Sequence, residues 1–319
     1  MVKINYNLEF PTSVYAATII NGIMYVGGSD WNRRKILYNK SITEKSKGVL
    51  YILRKTHNKF EIDKKIFFPS MIYSILPISK KNLFVGCKSE KETFNILDKY
   101  GNRIKSRNDK TGRGVYNAIF SRKHKEFFCA TRTGKLETID PKSLEVKSKK
   151  QLSLEKHRLW SIDYDAKNDT IYVGDYFGFL YIVHKNRLIK KLNLKEFHSN
   201  QKKIDDDFGP SLWGLKVLNN KIITGDRWGA LFIFDKNLKL NKRFNINEDI
   251  TCLENLSKNI ILIGTRYGKL FSLNLKDYKI SKITEIKPVL QKENAIWGMA
   301  RLKTSVLVCF ADGNVLSIS

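Results

Sequence analysis

The chain has 319 residues, 42% of them hydrophobic, and 58 Lys+Arg against 31 Asp+Glu, a net charge of +27. That length holds one large domain or two ordinary ones, with apolar residues enough for a sizeable core. No run approaches the ~18 apolar residues of a membrane helix, and Cys87, Cys129, Cys252 and Cys309 form no CxxC pair, so a helical membrane protein, a disulfide scaffold and a CxxC zinc site are excluded.

In chain order, "MVKINYNLEF" (Met1–Phe10) alternates like a strand and lacks the long apolar stretch of a signal peptide. Seven openings follow, each an apolar residue usually joined to an aromatic one: "VYAATI" at Val14, "IYSILP" at Ile72, "VYNAIF" at Val115, "LWSIDY" at Leu159, "LWGLKV" at Leu212, "ITCLEN" at Ile250 and "IWGMAR" at Ile296. Each opening runs to a polar turn such as "DAKNDT" (Asp165–Thr170) and then to a second apolar strand. A Gly-x-x-x-Gly phrase comes next: "GDYFG" (Gly174–Gly178), "GDRWG" (Gly225–Gly229) and "GTRYG" (Gly264–Gly268). A third strand, a turn and a fourth strand complete the unit. Period-two alternation with Gly, Asn and Asp turns predicts strands throughout.

Four antiparallel strands repeated seven times predict an all-β, seven-bladed β-propeller in one domain spanning 1–319. The seventh unit stops one strand short, so residues 3–10 are expected to complete it. The first glycine of each hairpin is expected where strands crowd together, and the second (Gly134, Gly178, Gly229, Gly268, Gly313) at positive φ.

Phrases such as "GKLETIDPKSLEV" and "GALFIFDKNLKL" resemble the Gly-x-Leu-x-x-x-Asp strand and turn of the WD-repeat and wider quinoprotein-like propellers. The chain has no Gly-His at its repeat starts and no Trp-Asp at its repeat ends. The resemblance therefore bears on fold, not on activity.

In a propeller, the second-to-third-strand hairpins, the blade-to-blade connections and the starts of the innermost strands share one rim. That rim is expected to carry Arg132, Tyr176, Arg227, Trp228, Arg266 and Tyr267 at hairpin tips. Tyr15, Tyr73, Tyr116, Trp160, Trp213 and Trp297 would stand at the openings, where only Thr251 breaks the aromatic series. Four excursions join the same rim: Ser29–Gly48 with Arg33 and Arg34, Asn102–Gly114, read as a connection, with Arg103, Arg107 and Arg113, "EKHR" (Glu155–Arg158) before the fourth opening, and Glu196–Ser211 before the fifth. The cations would neutralise phosphates while the rings stack on bases, which points to RNA or an RNA–protein assembly. Trp, Tyr and Arg also dominate protein hot spots, so a scaffold gripping an acidic peptide or subunit is the alternative.

A phosphoinositide-binding propeller family carries a Phe/Leu-Arg-Arg-Gly motif, whose nearest match here, "WNRRK" (Trp31–Lys35), lacks the glycine. Asp205, Asp206 and Asp207 near His198 are read as a solvated turn, not a metal site, and no Gly-x-Ser-x-Gly elbow is present. The expectation is a non-enzymatic protein without cofactor or metal, located in the cytoplasm, or in the nucleus of a eukaryote. Even spreading of charge over the surface would instead mark the lysine excess as compositional.

Overall fold

Alternating apolar side chains joined by tight polar turns give 28 strands among the described residues. The computed structural model describes residues 2–30, 47–56, 59–88, 92–108, 114–154, 157–198, 209–286 and 294–319. Arg33, Arg34, Arg113 and Asp205–Asp207 lie outside the described residues.

Strand β1 (Ile4–Glu9) comes first. Six sets of four follow: β2 (Ser13–Ile20), β3 (Ile23–Ser29), β4 (Gly48–Thr56), β5 (Lys59–Phe68); β6 (Ile72–Pro77), β7 (Asn82–Cys87), β8 (Phe94–Asp98), β9 (Arg103–Arg107); β10 (Val115–Ser121), β11 (Glu126–Thr131), β12 (Lys135–Ile139), β13 (Val146–Gln151); β14 (Leu159–Asp165), β15 (Thr170–Asp175), β16 (Phe179–His184), β17 (Arg187–Asn193); β18 (Leu212–Leu218), β19 (Lys221–Asp226), β20 (Ala230–Asp235), β21 (Leu240–Asn245); β22 (Ile250–Asn255), β23 (Ile260–Thr265), β24 (Lys269–Asn274), β25 (Ile280–Glu285). The chain ends with β26 (Ile296–Arg301), β27 (Val306–Phe310) and β28 (Asn314–Ile318). Each set of four forms one sheet in chain order, and the seventh sheet runs β1-β28-β27-β26. The architecture is the seven-bladed β-propeller, with the N-terminal strand completing the last blade.

The chain falls into two compact units: Met1–Val115 with Pro141–Leu144 and Glu254–Ser319, and Tyr116–Asp140 with Glu145–Leu253. In the first, Met24, Val26, Val49 and Tyr51 pack with Leu307 and Val315, while Tyr25, Leu50 and Phe68 pack with Ile72, Val85 and Leu97. In the second, Phe128, Ala130 and Leu136 pack with Leu159, Val173 and Tyr181. Tyr172, Leu180 and Ile182 pack with Leu212, Phe232 and Phe234. Each apolar layer thus lies between the faces of neighbouring sheets, the arrangement that removes most hydrophobic surface from water.

The hairpin glycines divide the labour as the sequence predicts. Gly229 ends its turn at φ +80, a conformation a side chain disfavours. Gly225 lies inside β19, where a Cβ would sit 2.3 Å from Cγ2 of Ile250. Just before the tip, Asp226 Oδ1 accepts the amides of Trp228 and Ala230, and Asp175 Oδ1 those of Phe177 and Phe179. These side-chain acceptors satisfy turn amides that the ladder leaves open.

Two bulges recur, and neither has a mark in the sequence. One lies near the start of the innermost strand, where pairing skips a residue: Tyr15, Tyr73, Trp160, Trp213 and Trp297 are the skipped residues. The opening aromatics are therefore bulge residues, and a bulge re-aims its side chain out of the pleat. The second lies on every outermost strand, at Asn5, Asp63, Ile104, Lys147, Ile189, Asn241 and Ile283.

The stretch Asn102–Gly114, read from sequence as a connection, contains strand β9 instead. Its side chains are exposed on both faces, so the hydrophobic alternation that marks inner strands is missing.

Candidate interaction surface

In the second unit the bulges place Trp160 of β14 and Trp213 of β18 beside Tyr116 of β10. Tyr116 and Trp160 stack with centroids 3.9 Å apart, and Trp160 meets Trp213 edge-on at 5.9 Å. Tyr176, at the tip of the β15–β16 hairpin, lies 6.1 Å from Trp160. The hairpin is held against the neighbouring connections: the Tyr176 amide donates to the Arg158 carbonyl at 2.9 Å, and Ser211 Oγ donates to the Tyr176 carbonyl at 2.7 Å.

Two guanidiniums flank these rings. Arg132, at the β11–β12 tip, lies over Tyr116 at 5.3 Å, and Arg158 lies over Tyr176 at 5.7 Å. Burial pushes the Tyr116 hydroxyl above its ordinary pKa, opposed by the charges of Arg132 and Arg158 and by a hydrogen bond with Arg158. Neither guanidinium has a carboxylate partner among the described residues. Arg132 Nε and Trp160 Nε1 are buried donors with no acceptor. Trp160, Trp213, Tyr176, Arg132 and Arg158 are partly exposed, whereas Tyr116 is 7% exposed.

The other predicted residues are placed differently. Arg227 Nε lies 3.9 Å from Asp249 Oδ2. Trp228 is packed edge-on against His198 at 5.0 Å. Arg266 and Tyr267 form the tip between β23 and β24, where Tyr267 is 46% exposed. Trp297 sits in the β26 bulge and Tyr15 packs with Tyr73 at 5.3 Å, all within the first unit. Arg103 and Arg107 are on β9: Arg103 pairs with Glu92 at 2.6 Å and covers Phe68, and Arg107 donates to the Leu144 carbonyl at 2.6 Å and covers Phe94. They serve the outer strand, not the hairpin tips.

Sequence reasoning puts the Glu155–Arg158 stretch on the rim but does not single out Arg158, which precedes β14 by one residue. It also missed His198. That residue is buried, with Nε2 2.7 Å from Asp226 Oδ2. Burial pushes the Asp226 carboxyl above its ordinary pKa while His198 and two amides pull it down. His157, likewise unassigned, stacks on Phe177 at 3.7 Å.

Among the described residues, no three His, Cys, Asp or Glu side chains gather as a metal site, and no helix is long and apolar enough to cross a membrane. Burial raises the Cys87 and Cys129 thiols above their ordinary pKa, which disfavours the reactive thiolate.

No family model matches the chain, and no curated protein does. Solved structures do. The WD40 β-propeller domain of Doa1 superposes with a TM-score of 0.71 at 10% identity, covering 100% of this chain and 97% of that one. Matching solved chains number 1639, so the likeness marks a common fold and selects no single activity. The chain is a seven-bladed β-propeller that shares its fold with the WD40 propellers.

Proposed function

We propose that the protein is a non-catalytic interaction platform that grips an acidic segment of a protein partner at the Arg132–Tyr116–Trp160–Arg158 cluster. One observation carries the reading: two partly exposed guanidiniums frame an aromatic cluster, face no carboxylate among the described residues, and leave Arg132 Nε without an acceptor. The exposed N–H groups of these guanidiniums can take a carboxylate in charge-assisted hydrogen bonds, roughly twice as strong as neutral ones. Arg and Trp anchors with an apolar floor are the chemistry of a protein hot spot.

RNA recognition needs ring faces open to bases. Here the Tyr116 face is taken by Trp160 and Arg132, and Phe177 by His157. Of the cations that suggest a nucleic-acid partner, Arg103 and Arg107 lie on the outermost strand β9, Arg103 on Glu92 and over Phe68 and Arg107 over Phe94. These points favour the protein partner over RNA.

Fluorescence anisotropy with a Glu-rich peptide and an oligouridine of equal charge tests the proposal. Arg132→Ala with Arg158→Ala should weaken peptide binding at least about tenfold, which corresponds to ~1.4 kcal/mol. Oligouridine binding should be weaker than peptide binding from the start. Peptide affinity unmoved by the double substitution, or tighter binding of oligouridine, contradicts the proposal.

A further inference from the structure

Six of the seven outermost strands carry cations, β1 being the exception, but they do not all spend them alike. On β9, Arg103 pairs with Glu92; on β13, Lys147 pairs with Glu126 and Asp140, and Lys149 with Glu137; on β25, Lys282 pairs with Glu285. Strand β17 differs. It holds no Asp or Glu, and while cations of β5 and β9 without a carboxylate reach carbonyls or rings, Arg187 and Lys190 have no side-chain hydrogen bond, ion pair or ring contact among the described residues. Lys150 Nζ of β13 donates to the Asn186 carbonyl at 3.2 Å, adding a fourth cation beside the β16–β17 turn.

Two aliphatic residues interrupt these cations along the strand, Leu188 on the face opposite Arg187 and Lys190, and Ile189 at the bulge, so a segment that meets them all lies across the exposed edge. Leu188 is 40% exposed and Ile189 61% exposed. Ile189 is the bulge residue: Lys190 pairs with Ile182 and Leu188 with Val183, leaving Ile189 without a partner position. The bulge breaks the regular edge that a further strand would need. A partner must therefore meet β17 through side chains.

We infer that β17 is a second docking surface, for an acidic segment of a protein partner that carries aliphatic side chains among its carboxylates. The carboxylates meet Arg187, Lys190 and Lys150, and the aliphatic groups cover Leu188 and Ile189. A nucleic acid fits worse, because this face offers no open ring: Lys191 Nζ lies 3.7 Å over Phe179 and 5.5 Å from Tyr181. The surface lies on the outer strand of its sheet, apart from the hairpin tips. It goes beyond the proposed function and does not depend on it.

The test uses the full chain carrying Arg132→Ala and Arg158→Ala, so that the first surface is silenced, and a labelled peptide of alternating Glu and Leu at low salt. The peptide should still bind. Adding Arg187→Glu with Lys190→Glu should weaken it at least about tenfold, and Leu188→Ser with Ile189→Ser about threefold, the scale of exposed charge and apolar contacts. The neutral pair Arg187→Gln with Lys190→Gln should fall between, which separates lost attraction from a damaged fold, and melting should stay unchanged. Absence of residual binding, or binding indifferent to the β17 substitutions, overturns the inference. So does loss on charge reversal with no effect of the serine pair, which would mark simple ion exchange. An oligouridine that binds β17 more tightly than the peptide also overturns it, in favour of nucleic acid. Failure here leaves the effect of Arg132 and Arg158 standing, and the reverse holds too.

Discussion

At the scale of single residues, close approach and buried polarity set the costs. A methyl group at Gly225 would meet Ile250 at 2.3 Å, inside any real contact distance. Gly225→Ala should therefore cost roughly 1–3 kcal/mol by overpacking, seen as a lower midpoint in thermal melts. His198→Ala should cost roughly 3 kcal/mol, because it leaves the buried Asp226 carboxyl without its side-chain partner. Chemical denaturation measures this directly, and Asp226→Asn in the same background should recover part of the loss. Asp169 supplies a pH signature. Its Oδ1 takes hydrogen bonds from His124 Nε2 at 2.6 Å and Tyr164 at 2.7 Å, which hold its pKa down at about 2. A depressed carboxylate stabilises the fold above its unfolded pKa of about 3.9, and this contribution disappears as pH falls toward the folded value. The stability gap between wild type and Asp169→Asn should be constant above about pH 5 and close between about pH 4 and 2. A gap that widens on acidification contradicts the assignment.

At the scale of elements, the outermost strands explain much of the charge. Each is the edge of a four-stranded sheet, a template for pairing with another chain, and each carries a bulge together with cations or other polar residues. Their cations also seal the neighbouring strand. At the third residue after a turn glycine, Glu137 pairs with Lys149, Tyr181 with Lys191 and Phe232 with Arg243. Deleting Ile104 should join Lys105 and Arg103 into continuous pairing with Ile96 and Leu97. It should raise concentration-dependent association in light scattering, although it removes an exposed apolar side chain. The hairpin glycines and the strand count can be read in the sequence, because positive φ and period two leave marks in single residues. The bulges cannot. "LW" and "VY" read as ordinary strand, and a fourth strand wet on both faces has no alternation to find. That is why "NRIKSRND" reads as a connection while the fold makes it β9.

At the scale of the molecule, the fold gathers a subset of the residues that the sequence puts forward. Tyr116, Trp160, Trp213, Tyr176 and Arg132 come together because bulges and hairpin tips of successive blades share one edge of the second unit. Arg103 and Arg107 lie on β9, in the first unit. Arg158 joins the cluster, and only the packing of Tyr116 and Tyr176 reveals it. The proposed platform needs no moving part. Its rings are already stacked, so binding should order few side chains and tighten the edges that touch the partner. Hydrogen–deuterium exchange with and without a saturating Glu-rich peptide tests this most directly. Slower exchange is expected in the hairpins Thr131–Lys135 and Tyr176–Phe179 and at Arg158–Trp160. Protection spread evenly over the outer strands with those segments unchanged would contradict the account.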